Sequence, residues 1–327
     1  MIELISFFIY CVLIFLMLYV FKKKVSKSVY LLVSIIVALF ASVRGECGPD
    51  SELYMLRYEL VELVDVSFYE PIMSLSMLLS RDVFNLSWEA YSFLHALLVL
   101  LLWSLTLRNQ QNTFFVSSVF AVIAIDSVFN GMRVGLVYPL AAYLILTADR
   151  RYLWTLALFT HVSSVVMLVM NELKRPLVIV IIFGVGWFVF TEGYLIQIAE
   201  NLSKYSVIEA KNWYSGIFDG VMLVTALAHL FSKGKNSKAL ILILLLFIGF
   251  IIFQQLLILR YSGLLRVIRL LLIVFLVKGL RYKEADYMKN IGFTFGALYV
   301  LNFLRQIWSS RLLDQNFIPF QWLESFT

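Results

Sequence analysis

The sequence predicts an all-α, polytopic integral membrane protein of about ten spanning helices. Three observations predict it. The chain is 61% hydrophobic and only 15% charged, with a mean hydropathy of +0.88. Apolar runs close to the ~20 residues needed to cross hydrocarbon recur along its whole length. Its lysines gather in short loops between those runs, and none lies between Lys27 and Lys174. A length of 327 residues fits one integral membrane domain over 1–327 and leaves no room for a separate soluble enzyme.

The first apolar run, Ile2 to Phe21, has no basic start and carries Glu3. No small-residue cleavage site precedes Lys22, Lys23 and Lys24, so it reads as a retained span rather than a signal peptide. The KKKVSK run behind it belongs in the cytoplasm, which starts the chain outside. A second span over 28–43 returns to the outer face and delivers Arg44. Residues 44–85 then hold eight acids against three arginines, as expected of a periplasmic loop. The second half of that loop, EPIMSLSMLLSRDVF, reads as a short amphipathic helix begun by Pro71 and lying in the membrane interface.

Spans over 88–107, 114–129 and 134–148 follow, running in, out and in. Towards the C-terminus, spans over 239–259, 267–280 and 291–308 alternate around basic loops at 232–238 and 278–289, leaving the C-terminus outside. Between Arg151 and Lys233 the crossings must be even in number, yet three apolar runs occupy 152–170, 177–192 and 215–232. Either the first is a re-entrant hairpin bent near His161, or Lys174 and Arg175 lie outside against the charge rule. Non-helical backbone at that depth requires a wet cavity.

Cys11 lies inside the first apolar run, so a disulfide with Cys47 is not expected. No His/Cys/Asp/Glu group has metal-ligand spacing and no glycine-rich loop resembles a phosphate cradle, so neither a metal nor another cofactor is expected. The net charge of +6 reports orientation and not nucleic-acid binding, because the lysines sit between spans.

The arginines carry the chemistry. Arg44, Arg133, Arg260 and Arg266 stand at the ends of apolar runs on the predicted outer face, where the charge rule does not ask for them. A guanidinium stays charged and grips phosphate oxygens with a planar fork. Gly45, Gly48 and Pro49 mark a turn that folds Asp50 back toward Arg44, with Tyr54 beyond it. That elbow suits a phosphate or a sugar; the plainer reading is a snorkelling arginine neutralised by a local acid. Spacings of four and three put Asp126, Asn130 and Arg133 on one face at the outer end of the 114–129 span. Tyr261 and Arg269 accompany Arg260 and Arg266 in RYSGLLRVIR. His161, flanked by Thr160, Ser163 and Ser164, could exchange a proton, but no acid at a useful spacing completes a hydrolase triad.

These elements, in this order, resemble the Wzy-type O-antigen and capsule polysaccharide polymerases, in particular their EpsG-like branch. An R-x-x-x-G-x-D-x-x-x-Y-like element is matched by Arg44, Gly48, Asp50 and Tyr54. An N-x-x-R-Q element is matched by Asn130 and Arg133, with Val134 where the Gln usually stands. An F-H-x-S element is matched by Phe159, His161 and Ser163, with Thr160 inserted. Late elements are matched by Arg260, Tyr261, Asn316, Pro319 and Phe320.

The resemblance implies a metal-independent, GT-C-like glycosyltransferase in a bacterial inner membrane, its site facing the periplasm. Its donor and acceptor would be undecaprenyl-diphosphate-linked glycans, with membrane lipids and a chain-length regulator as candidate partners. Asp50, Arg133 and His161 would be catalytic. Arg44, Tyr54, Asn130, Arg260, Tyr261 and Arg266 would bind diphosphate or sugar. The rival readings are an O-antigen ligase, which typically has a larger late periplasmic loop, and a lipid-linked glycan flippase, which would be expected to show internal repeats.

Overall fold

The computed structural model describes residues 2–22, 25–43, 51–62, 71–107, 114–129, 131–147, 293, 296–305 and 307. The chain divides into two compact units, Met1–Val162 with Lys283–Thr327 and Ser163–Tyr282, and the described residues all belong to the first. Among them the structure is all-helical with no strand. The elements are α1 (Ile2–Lys22), α2 (Lys27–Ser42), α3 (Ser51–Leu60), α4 (Pro71–Leu78), a π-helical turn (Leu79–Val83), α5 (Trp88–Leu107), α6 (Phe114–Phe129), α7 (Met132–Gly135) and α8 (Val137–Thr147).

The helix ends follow from local chemistry. Ser26 caps α2, its hydroxyl accepting from the Val29 amide at 3.3 Å. Pro71 opens α4, where its missing N–H would have had no helical partner. Ser87 caps α5 by accepting from the Ala90 amide at 3.3 Å, and Glu89 in the first turn suits the positive end of the helix. Pro139 stands within the first turn of α8, where its lost donor costs no helical bond. Between the π turn and α5, Asn85 takes a left-handed φ of 49°, a conformation its short polar side chain tolerates.

α6 is the inner helix. Nearly every described position from Val116 to Phe129 is buried, as expected of a helix apolar on all sides. α1 packs on α6, α2 on α5, and α5 on α8. Rings interlock across these seams: Tyr10 with Phe129 at 4.9 Å and Trp103 with Phe120 at 5.2 Å. Ser34, Ala38 and Ser42 recur every fourth residue on the buried face of α2, and Ser92 and Ala96 do so on α5. Small side chains at that spacing let the helices approach closely. Tyr30 of α2 donates to the Leu100 carbonyl of α5 at 2.7 Å, and Thr106 of α5 donates to the Pro139 carbonyl of α8 at 2.9 Å.

The outer faces are as apolar as the inner ones. On α1, Leu4, Phe8, Val12, Phe15 and Tyr19 form an exposed stripe one helical turn apart. Leu31, Leu32 and Leu39 on α2 and Leu94, Leu98 and Leu105 on α5 are likewise exposed. Trp88–Leu107 is long and apolar enough to cross a membrane, and Phe7–Lys22, Lys27–Ser42 and Val116–Phe129 are shorter apolar segments.

The helices predicted over 2–21, 28–43, 88–107 and 114–129 agree with the structure within one residue at each end. The helix expected to begin at Pro71 does so as α4, and the structure adds α3 before it; Ser51, Tyr54, Tyr58 and Val61 form a buried stripe that no span prediction looks for. The predicted fifth span begins instead as the four-residue α7, followed at Leu136 by α8. The spans placed between 150 and 290 lie outside the described residues.

The expectation from sequence that residues 44–85 face the periplasm is open to a direct check at α3. Ser51 is only 2% exposed, so the reporter belongs on the exposed Glu52 beside it. With Cys11 and Cys47 replaced by serine, Glu52→Cys should react with a membrane-impermeant maleimide in intact cells. Reaction only after the inner membrane is opened would reverse the orientation of the whole chain.

Candidate functional site

The predicted site residues can be placed only in part. Arg44, Asp50, Asn130, His161, Arg260, Tyr261 and Arg266 lie outside the described residues. Tyr54 is on α3 and Arg133 is in the backbone of α7. What joins those two elements is a buried cluster made of Tyr54, Tyr58, Val61, Met73, Met77, Leu78, Trp88, Tyr91 and Met132. Met132 immediately precedes Arg133, so elements 78 residues apart in sequence meet in one apolar core.

The cluster is built from helix faces. Ser51, Tyr54 and Tyr58 fall on one side of α3, and Met73 and Met77 on one side of α4. Trp88, Tyr91 and His95 share a side of α5. The rings of Tyr58 and Tyr91 stack at 5.1 Å, with Trp88 tilted against Tyr58 at 5.7 Å. Hydroxyls at its edge are satisfied. Tyr58 donates to the Leu86 carbonyl at 2.8 Å, and Tyr91 pairs with Ser76 at 3.0 Å. Burial pushes the Tyr58 phenol up, while nearby Arg81 pulls it down. The neutral phenol that donates to Leu86 is the form the site keeps.

Arg81 closes the end of α3. Its Nη1 donates to the carbonyls of Tyr58 at 2.9 Å and Glu59 at 2.7 Å, and its Nη2 to that of Val61 at 2.7 Å. A helix ends with unpaired carbonyls and a partial negative charge, and one guanidinium answers both. The π turn places Arg81 there; its wider winding is closed by Phe84 donating to the Leu79 carbonyl at 3.1 Å. Asp82 holds the other edge, with Nε donating to its Oδ1 at 2.6 Å. That hydrogen bond raises Arg81 further and holds the Asp82 carboxyl below its ordinary 3.8. Arg57 donates to the buried Ser74 hydroxyl at 2.8 Å and so joins α3 to α4. Glu52, Glu59, Glu62, Asp82 and Glu89 are exposed, which makes the described rim acidic.

At the other end of the cluster the chain turns sharply. α6 stops at Phe129, and Gly131 is non-helical with φ −139° and ψ 57°. Asp126 and Arg133 therefore do not share a continuous helix face, contrary to the expectation from their spacing. A Cβ on Gly135 would stand 3.0 Å from the Ser127 carbonyl and 3.3 Å from a Val99 methyl, so glycine lets α7 press against α5 and the end of α6. His95, 6% exposed, places Nε2 3.1 Å from the Met132 carbonyl.

Tyr54 is 2% exposed and serves as part of this framework, tying α3 to α5 and α7. Sequence reasoning passed over Arg57, Arg81 and His95. The signals were present: Arg57 lies three residues after Tyr54, and His95 continues the Trp88–Tyr91 stripe by one turn. Arg81 carried no such signal, because its partners are backbone carbonyls about twenty residues away. Among the described residues no group of three or more His, Cys, Asp or Glu could hold a metal ion. No family model, no curated protein and no solved structure matches the chain.

The Arg81 clasp sets an expectation for stability. Arg81→Met should cost on the order of 2 kcal/mol, because hydrogen bonds from a charged donor contribute about 1.5–3 kcal/mol and part of this one is solvated. Arg81→Lys should recover only part of it, since an ammonium cannot fork across three carbonyls. Thermal unfolding in detergent reads both. The Asp82 carboxylate is stabilised in the folded state, so its contribution is complete above its ordinary value of 3.8 and is lost only as pH falls below that. The midpoint should therefore not fall between pH 8 and about pH 5 on its account.

Proposed function

We propose that this chain is a polytopic inner-membrane glycosyltransferase of the Wzy type, polymerising undecaprenyl-diphosphate-linked glycan repeat units at the periplasmic face. One observation carries the reading: the buried cluster that brings α3, which follows the Arg44–Asp50 element, to α7, which contains Arg133. Two motifs far apart in the chain can serve one substrate only if the fold joins them, and this cluster joins the helices beside them. The exposed apolar stripes on α1, α2 and α5 support a lipid surround, because patches of that extent are rare on soluble monomers. With those helices as spans, the count of about ten follows from the remaining apolar runs.

In this reaction the acceptor sugar hydroxyl attacks the anomeric carbon of the growing glycan. The bond from that carbon to the carrier phosphate breaks, and the diphosphate leaves with the electron pair. The hydroxyl proton passes to Asp50 or His161. Charge grows on the diphosphate oxygens, and Arg44, Arg133, Arg260 and Arg266 are the groups suited to stabilise it. Asn130 and Tyr261 would frame the sugar and the phosphates, while the buried Tyr54 would brace α3 behind its motif. No carboxylate pair in the sequence is spaced to hold a divalent ion, so the arginines take its electrostatic role.

The test is extension of a purified lipid-linked repeat unit by the purified protein. A ladder of polymer on undecaprenyl diphosphate supports the reading, whereas a single transfer onto lipid A core would make the protein a ligase. Extension should persist in EDTA; loss in EDTA with rescue by magnesium would remove the arginines from the role assigned here. If Arg44, Arg133 and Arg260 grip diphosphate with the planar fork, Arg→Lys should slow extension nearly as much as Arg→Ala. The loss at each should be about 100-fold, as for an interaction of ~3 kcal/mol made mainly in the transition state. Full-length polymer from all three lysine variants, at matched protein levels, would reduce them to topological anchors.

A further inference from the structure

The geometry points to His95 as a positioning residue for Arg133, an inference that rests on the transferase reading above. α7, Met132–Gly135, is joined at its C-terminal end to α8 through Leu136, itself in the α region, but its N-terminal end follows the non-helical Gly131. Within it the Gly135 amide bonds to the Gly131 carbonyl at 2.8 Å. The N-terminal end, where Arg133 stands, needs support from outside. Three fixtures supply it. The Met132 side chain, 1% exposed, is locked in the cluster with Tyr54, Tyr58 and Tyr91. Gly135 lies against Ser127 and Val99 where a Cβ would crowd them. His95 reaches from α5 to the Met132 carbonyl at 3.1 Å.

The third fixture is specific. A carbonyl only accepts, so Nε2 must carry the proton and donate. His95 is held in turn by its own helix and by the ring of Tyr91 at 6.0 Å. The acceptor belongs to the residue immediately before Arg133, so this bond sets where the Arg133 backbone stands. Reaction rates are sensitive to such placement: a shift of about 1 Å in a distant support can cost ~100-fold. His95 thus acts through Arg133 and does not itself need to touch substrate.

The chemistry predicts which replacements work. The amide nitrogen of Gln reaches the place of Nε2, whereas that of Asn reaches only the place of Nδ1. His95→Gln should preserve the bond; His95→Asn and His95→Leu should lose it.

Two measurements on the full-length protein in nanodiscs test this. In hydrogen exchange, the 131–137 segment, whose Gly135 amide is the reporter, should exchange about tenfold faster in His95→Leu and His95→Asn. It should match wild type in His95→Gln. In extension of a purified lipid-linked repeat unit, the first two variants should lose about 100-fold in kcat with little change in KM, and Gln should restore it. Unchanged exchange in His95→Leu, or equal activity of the Asn and Gln variants, overturns the inference. Faster exchange with unchanged kcat overturns it too, leaving His95 a purely structural tie. If wild type extends nothing, the polymerase reading fails separately, while the exchange arm still decides whether His95 sets α7.

Discussion

Helices that are apolar on every side cannot be oriented by burial alone, and the architecture of the described unit answers that constraint. α1, α2 and α5 carry exposed leucine and phenylalanine stripes as hydrophobic as the faces they bury. Transfer of apolar area therefore does not choose which face turns inward. Small residues and hydroxyls choose it. Ser34, Ala38 and Ser42 lie on the buried face of α2, which packs on α5, and Tyr30 and Thr106 donate to carbonyls on neighbouring helices. Each such bond is short-range and directional, so it fixes rotation and depth where a greasy contact would slide.

The segment between α2 and α5 works by different rules. Here the helices are short, one side is exposed, and the carbonyl ends need partners. Arg81 supplies them for α3, and the π turn exists at the place where Arg81 must point back. The aromatic stack of Tyr58, Tyr91 and Trp88 then seats this corner on α5. The result is a packed corner that ends at Met132, beside Arg133. Arginine appears in two roles within one protein: Arg81 as a backbone cap, and Arg133 as a proposed ligand for phosphate. The same planar fork suits both, because carbonyl and phosphate oxygens differ in charge more than in geometry.

The long helices were legible in the sequence. Apolar runs near twenty residues, bounded by lysines, a capping serine or a proline, gave α1, α2, α5 and α6 and the start of α4, because length and capping are local properties. Candidate site residues were legible only by type. Tyr54 was picked as a ligand and is a buried packing residue, since the sequence cannot say which side of α3 faces the core. Asp126 and Arg133 were paired by helical spacing, and the break at Gly131 separates them onto different helices.

What the sequence by itself determined is where helices can begin, where they must stop and how much apolar surface they carry. Those properties depend on neighbours within a few positions. Only the tertiary structure decided which residues meet. The Arg81 clasp, the Tyr54–Met132 cluster and the His95–Met132 bond join residues about twenty to eighty positions apart. Such pairings have no periodic signature along the chain. They arise when helices of nearly uniform hydrophobicity settle into the one packing that leaves these polar groups satisfied.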